Sequence, residues 1–78
     1  MTPGEWNGAI AANVRAERAR ANVSQEELAE RMQHLGFREW RYQTVGNIER
    51  GKRRVLAAEV IALAEILKVS VSALMSKP

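Results

Sequence analysis

The chain has 78 residues, a formal net charge of +3 and no cysteine. That length makes one small domain, and the lack of thiols excludes disulfide staples and thiolate zinc sites, so stability has to come from packing around a modest apolar core. With 46% hydrophobic and 27% charged residues the composition is that of a folded domain, and the apolar residues are too dispersed for a membrane span or a secretory core, so a cytoplasmic protein is expected.

Five helices are predicted. The first runs from about Asn7 to Ala21, with Trp6, Ile10 and Val14 four residues apart on one face. Thr2-Pro3-Gly4-Glu5 also reads as an earlier cap, with Pro3 at the first helical position and Glu5 as the box acid, whereas Asn7-Gly8 argues for a break. Arg18 follows Val14 by four and falls on the same stripe, where it needs a partner. Helix 2 opens with the capping box Ser24-x-x-Glu27, continues with Leu28, Met32 and Leu35 at helical spacing, and stops at Gly36.

Helix 3 is predicted from about Tyr42 to Arg50, with Gly51 as its stop. Val45 and Ile48 mark its inner face. At about 100° per residue Glu49 also turns inward, while Gln43, Asn47 and Arg50 point away. Arg18 and Glu49 are thus each the one charge on an apolar face, and their pairing is expected, because a lone buried charge costs several kcal/mol (~3–5). Helix 4 spans about Ala57 to Lys68 with Leu56, Val60, Leu63, Ala64 and Leu67 as its stripe. Ser70 caps a short helix 5 packed through Val71, Leu74 and Met75. The two tryptophans and three methionines are expected in or near the core. No run alternates with period two, so the class is all-α.

The charge is unevenly placed. Residues 1–37 sum to −1, residues 38–54 to +4, and residues 55–78 to zero. A local basic excess on a small domain points to a polyanion. The excess surrounds residues 24–51, where a capped helix and a short glycine-stopped helix are followed by Lys52-Arg53-Arg54. Two short helices backed by a basic run are how a chain presents a helix end to DNA.

Three segments, Val23-Ser-Gln-Glu-Glu-Leu-Ala29, Gln43-Thr-Val-x-x-Ile-Glu-Arg-Gly-Lys52 and Leu63-Ala-x-x-Leu-x-Val-Ser-Val-x-x-Leu74, stand in an order that resembles the Xre/Cro group of lambda-repressor-like helix-turn-helix proteins. The resemblance covers about Ile10 to Met75. It implies a compact bundle of about five helices, a single domain over residues 1–78, that binds operator DNA. It places Gln25 on a phosphate, Tyr42, Gln43, Thr44 and Asn47 on base edges, and Lys52, Arg53 and Arg54 on the backbone, and it carries an internal ion pair at Arg18 and Glu49. Arg41 and Arg50 join the expected phosphate contacts.

Three positions depart from the family pattern. Residues 33–41 make the linkage between helices 2 and 3 about six residues longer than the usual tight turn of 3–4. A lengthened helix 2 and a bend packed through Trp40, with Phe37 adding a contact, are expected to restore the usual geometry. Arg41 stands where a serine or threonine normally caps helix 3, and Lys68 replaces the glycine after helix 4.

Gln43 and Asn47 each carry a donor and an acceptor side by side, which matches N6 and N7 of adenine in the major groove. The first turn of helix 2 offers free backbone donors to a phosphate beside Gln25. Tyr42 can meet a phosphate or a thymine methyl, or pack on the turn; Gly46 permits close approach to DNA or to helix 2. Catalysis finds no support: the single histidine, His34, reads as a surface residue, aspartate is missing, and no phosphate loop or metal spacing occurs. No cofactor, metal or small ligand is expected.

The expected function is that of a sequence-specific, nucleoid-associated transcriptional regulator, a repressor that binds a palindromic operator in double-stranded DNA as a homodimer. Its size suits a phage or mobile-element repressor, and Ile61 and Met75 are candidates for the dimer surface. The alternative is a helical protein-interaction module, or an antitoxin component whose helix-turn-helix binds a protein.

Overall fold

The computed structural model describes residues 1–77 and contains five helices: α1 (Pro3–Arg20), α2 (Gln25–His34), α3 (Tyr42–Glu49), α4 (Ala57–Leu67) and α5 (Val71–Met75). There is no strand among the described residues. The all-α expectation holds.

The earlier of the two possible starts of α1 is the one adopted. The Thr2 hydroxyl accepts from the Glu5 N–H at 3.2 Å and the Glu5 carboxylate accepts from the Thr2 N–H at 3.0 Å. With Pro3 pre-set for the first turn, this box carries the helix through Asn7-Gly8 without a break. The expected box at Ser24 and Glu27 forms in the same way, at 3.0 and 3.3 Å.

The first four helices share one way of ending. After α1 the Val23 N–H reaches back to the Arg18 carbonyl and the Asn22 N–H to Ala19; after α3 the Lys52 N–H reaches Asn47 and the Gly51 N–H reaches Ile48. The same nested pair closes α2 at Gly36 and Phe37, and α4 at Lys68 and Val69. The motif needs one residue in the left-handed region. Gly36 and Gly51 supply it without a steric penalty, whereas Asn22 and Lys68 adopt it at φ 58° each. Lys68 therefore takes the conformation of the glycine it replaces.

α1 packs across α3, α4 and α5, and α2 packs on α3 and α4. Leu28, Leu63, Leu74, Met32, Val14, Val45 and Ile48 are fully enclosed where these helices meet. Each such side chain contributes about 1.5–3 kcal/mol relative to an exposed one. The Asn13 amide donates to the carbonyls of Leu74 and Ser76, which fastens the end of α5 to α1.

Several expected core residues lie outside. Trp6 is 48% exposed and Leu56 64%, and Leu35, Val71, Met1 and Met75 are also exposed. Trp6 sits in the first turn of α1, outside the core cluster that takes in Ile10 one turn further on. Leu56 is the residue before α4 rather than part of its stripe, so its side chain is not aligned with Val60 and Leu63.

The two expected parts of the long linkage, a lengthened α2 and a packed bend, are both present. α2 takes up Gln33 and His34, and the remaining residues 35–41 form a bend with Trp40 driven into the core at 3% exposure and Phe37 packed against it. The Gln33 amide donates to the Trp40 carbonyl, and the Trp40 N–H closes a turn on the Phe37 carbonyl.

Candidate nucleic-acid interface

Two ion-pair networks fix α3 in place. In the first, the Arg18 guanidinium grips the Glu49 carboxylate through Nε at 2.6 Å and Nη2 at 3.0 Å, while its Nη1 donates to the Val23 carbonyl at 2.9 Å. Glu49 is 6% exposed. Hydrogen bonding to Glu49 holds the Arg18 guanidinium above its ordinary range despite its partial burial. Arg15 adds a bond to the Glu49 carbonyl at 2.9 Å, and the Gln25 amide donates to Glu49 Oε1 at 3.3 Å. The pair expected from helical phase therefore exists, and it ties α1, α2 and α3 together.

The second network joins residues that precede and follow α3 in the chain. Glu59 is 4% exposed in the first turn of α4. Its carboxylate accepts from Trp40 Nε1 at 3.0 Å, from Arg53 Nη1 and Nη2 at 3.0 and 2.9 Å, and from the Leu56 N–H at 2.9 Å. The Arg53 guanidinium also stands 5.3 Å from the centroid of the Trp40 ring, in range for a cation–π contact. Burial alone pushes the Glu59 carboxyl up, but the bonds from Arg53, Leu56 and Trp40 outweigh it and hold the group below the usual carboxylate value.

Between these anchors α3 turns Val45, Ile48 and Glu49 inward and leaves Tyr42 and Gln43 exposed. Gln43 makes no side-chain hydrogen bond among the described residues, so both ends of its amide are free. The other expected base readers are more engaged. Thr44 is half-buried and its hydroxyl accepts from the Arg41 N–H at 3.0 Å, the return half of a capping box, while the Arg41 side chain caps none of the free N–H groups of α3. Asn47 is half-buried, and its side-chain Oδ1 accepts from Arg50 Nη2 at 2.8 Å. Arg50 folds back over its own helix: a Cβ at Gly46 would stand 3.1 Å from its Nη1. Gly46 thus makes room for Arg50 rather than for helix 2.

The expected phosphate contacts also divide. Lys52, Arg54, Arg41 and Arg50 are exposed. Arg53 is committed to Glu59 and Trp40, and Gln25 is half-buried with its amide turned toward Glu49. Sequence reasoning missed Glu59, the indole N–H of Trp40 and Arg15. The available signal was an acid three residues after Leu56, the box position of a helix start.

Two helices, α2 and α3, packed together and joined by a bend, with cations near both ends of the second, have the arrangement of a helix-turn-helix domain. A family model described as helix-turn-helix, HTH_3, matches residues 14–74. The chain belongs to this family, the Xre and lambda-repressor-like group. Its fold is similar to the crystal structure of the DNA-binding domain of BldD, with 28% identity, a TM-score of 0.78 and coverage of 96% of this chain and 100% of that one. A hypothetical transcription factor NHTF from Neisseria gives 25% identity and a TM-score of 0.80, over 94% of this chain and 77% of that one. The DNA-binding domain of BldD from S. venezulae gives 29% identity and a TM-score of 0.74, over 92% and 99% of the two chains. No curated protein matches the sequence.

Proposed function

We propose that this chain is a DNA-binding transcriptional regulator that sets α3 in the major groove and represses by occupying a palindromic operator as a homodimer. The observation that supports this reading best is the bare outer face of α3, where Gln43 projects an unpaired amide between Arg41 at one end of the helix and Lys52 and Arg54 beyond the other. An exposed amide there can pair with an adenine edge, and cations at both ends can neutralise phosphates on either side of the groove. Tyr42 reaches a phosphate or a thymine methyl from the same face, while Thr44 and Asn47 assist from half-buried positions. Arg50 offers a phosphate contact if it swings off Gly46. The backbone donors at the start of α2 take a further phosphate, with Gln25 orienting the site through Glu49.

One such domain reads only a few base pairs, so two copies facing two half-sites give a usable operator. Ile61 and Met75 are exposed apolar residues available for that contact. Gln43→Ala is expected to weaken binding at the preferred site by about 1–3 kcal/mol and to leave binding at unrelated duplexes nearly unchanged. Titrating the variant against both duplexes in one buffer checks this; an equal loss on both would remove Gln43 from the base readers.

A further inference from the structure

The basic linkage before α3 carries a contact of its own. A bend of this length is ordinarily mobile, but here residues 35–41 are pinned. Trp40 is buried and bonded to Glu59, the Gln33 amide holds the Trp40 carbonyl, and Arg41 Nη1 donates to the carbonyls of Arg38 and Trp40, both at 2.8 Å. These contacts hold the bend, and of the Arg41 guanidinium they use Nη1 alone. The Arg38 side chain is exposed and makes no hydrogen bond or ion pair among the described residues. The bend's one carboxylate, Glu39, lines the cleft that holds Arg53 and Glu59 and forms no ion pair with Arg38. The Arg41 bond also ties the Arg38 carbonyl to the residue that precedes α3, the end of the helix that carries Tyr42 and Gln43.

We infer that residues 35–41 form a fixed arm that brings the Arg38 guanidinium to a DNA phosphate flanking the bases read by α3. The contact rests on the DNA-binding reading above and adds a cation outside the two helices of the motif. Because the arm is ordered before DNA arrives, the contact does not require folding of the loop on binding. It carries no base information, so it strengthens all sequences alike.

The test compares the parent chain, Arg38→Ala and Arg38→Lys on a preferred duplex and on an unrelated duplex of equal length, each at several salt concentrations. For Arg38→Ala the slope of log affinity against log salt is expected to become shallower by about 0.9 on both duplexes, the signature of one fewer phosphate neutralised. The ratio of the two affinities and the melting temperature stay unchanged, and Arg38→Lys keeps the parent slope. A slope equal to the parent's for Arg38→Ala overturns the inference alone, as does a loss confined to the preferred duplex. A parent chain that binds neither duplex at low salt overturns the DNA-binding reading and this inference with it.

Discussion

Glu49→Ala is expected to destabilise the domain by about 3–5 kcal/mol, the loss seen when one partner of a buried pair is removed and the other is left uncompensated. The carboxylate is almost wholly enclosed and receives Arg18 through two nitrogens and Gln25 through its amide. Without it, Arg18 keeps only the Val23 carbonyl as a partner at a site where its charge is partly cut off from water. For a domain of this size 1 kcal/mol corresponds to roughly 4–8 °C, so the melting temperature should drop by at least about 12 °C. Arg18→Ala combined with Glu49→Ala should cost less than the sum of the two single changes, because the double variant strands no charge. An unchanged melting temperature for Glu49→Ala would show that the pair adds nothing to the fold.

The second large effect is predicted at Glu59, where Ala substitution is also expected to cost about 3–5 kcal/mol. This carboxylate serves three elements at once: the indole of the linkage, the guanidinium that follows α3, and the first free N–H of α4. Its removal leaves the Trp40 indole N–H buried without an acceptor, and that alone costs about 1–3 kcal/mol. In a Trp6→Phe background Trp40 is the sole tryptophan, and Trp6 is exposed enough to be replaced with little effect. There the Glu59→Ala change should shift the emission of Trp40 to longer wavelength as its indole gains access to water. Unaltered emission together with an unaltered melting curve would contradict the network.

The same group makes stability depend on acid. Glu59 has its folded value held below its ordinary one, so the unfolded chain binds its proton more readily. The contribution of the network is therefore complete above the unfolded carboxylate value of about 4.3 and is lost as pH falls through the lower folded value. The stability gap between the parent and Glu59→Gln should hold steady near neutrality and narrow only below about pH 4.

The elements legible in the sequence are those governed by local chemistry. The box at Ser24 and Glu27 is a four-residue signal, and the Arg18–Glu49 pair follows from helical phase alone, since each is the one charge on an apolar stripe. Trp40 was also legible, because a large ring in a polar bend has few places to go except the core. Glu59 was not, since its partners lie 19 and 6 residues away in the chain and meet only after α4 folds against the linkage. For the same reason Arg53 reads as a phosphate contact when taken with Lys52 and Arg54, although its guanidinium is turned inward. The exposure of Trp6 and Leu56 shows the limit of periodicity, which tells which residues share a face but not where the neighbouring elements end. At α3 the phase correctly picked out Gln43 as outward, but it could not reveal that Arg50 bonds Asn47 or that the Thr44 hydroxyl is taken by the Arg41 N–H.

Selection from a pool of random duplexes tests DNA recognition by α3 most directly. The purified chain is incubated with the pool, the retained duplexes are sequenced, and affinity for the enriched sequence is followed across salt. The expected result is an enriched palindrome with A·T pairs in each half-site and a steep loss of affinity as salt rises. No enrichment, with negligible retention even at low salt, would contradict it and assign the bare face of α3 to a protein partner.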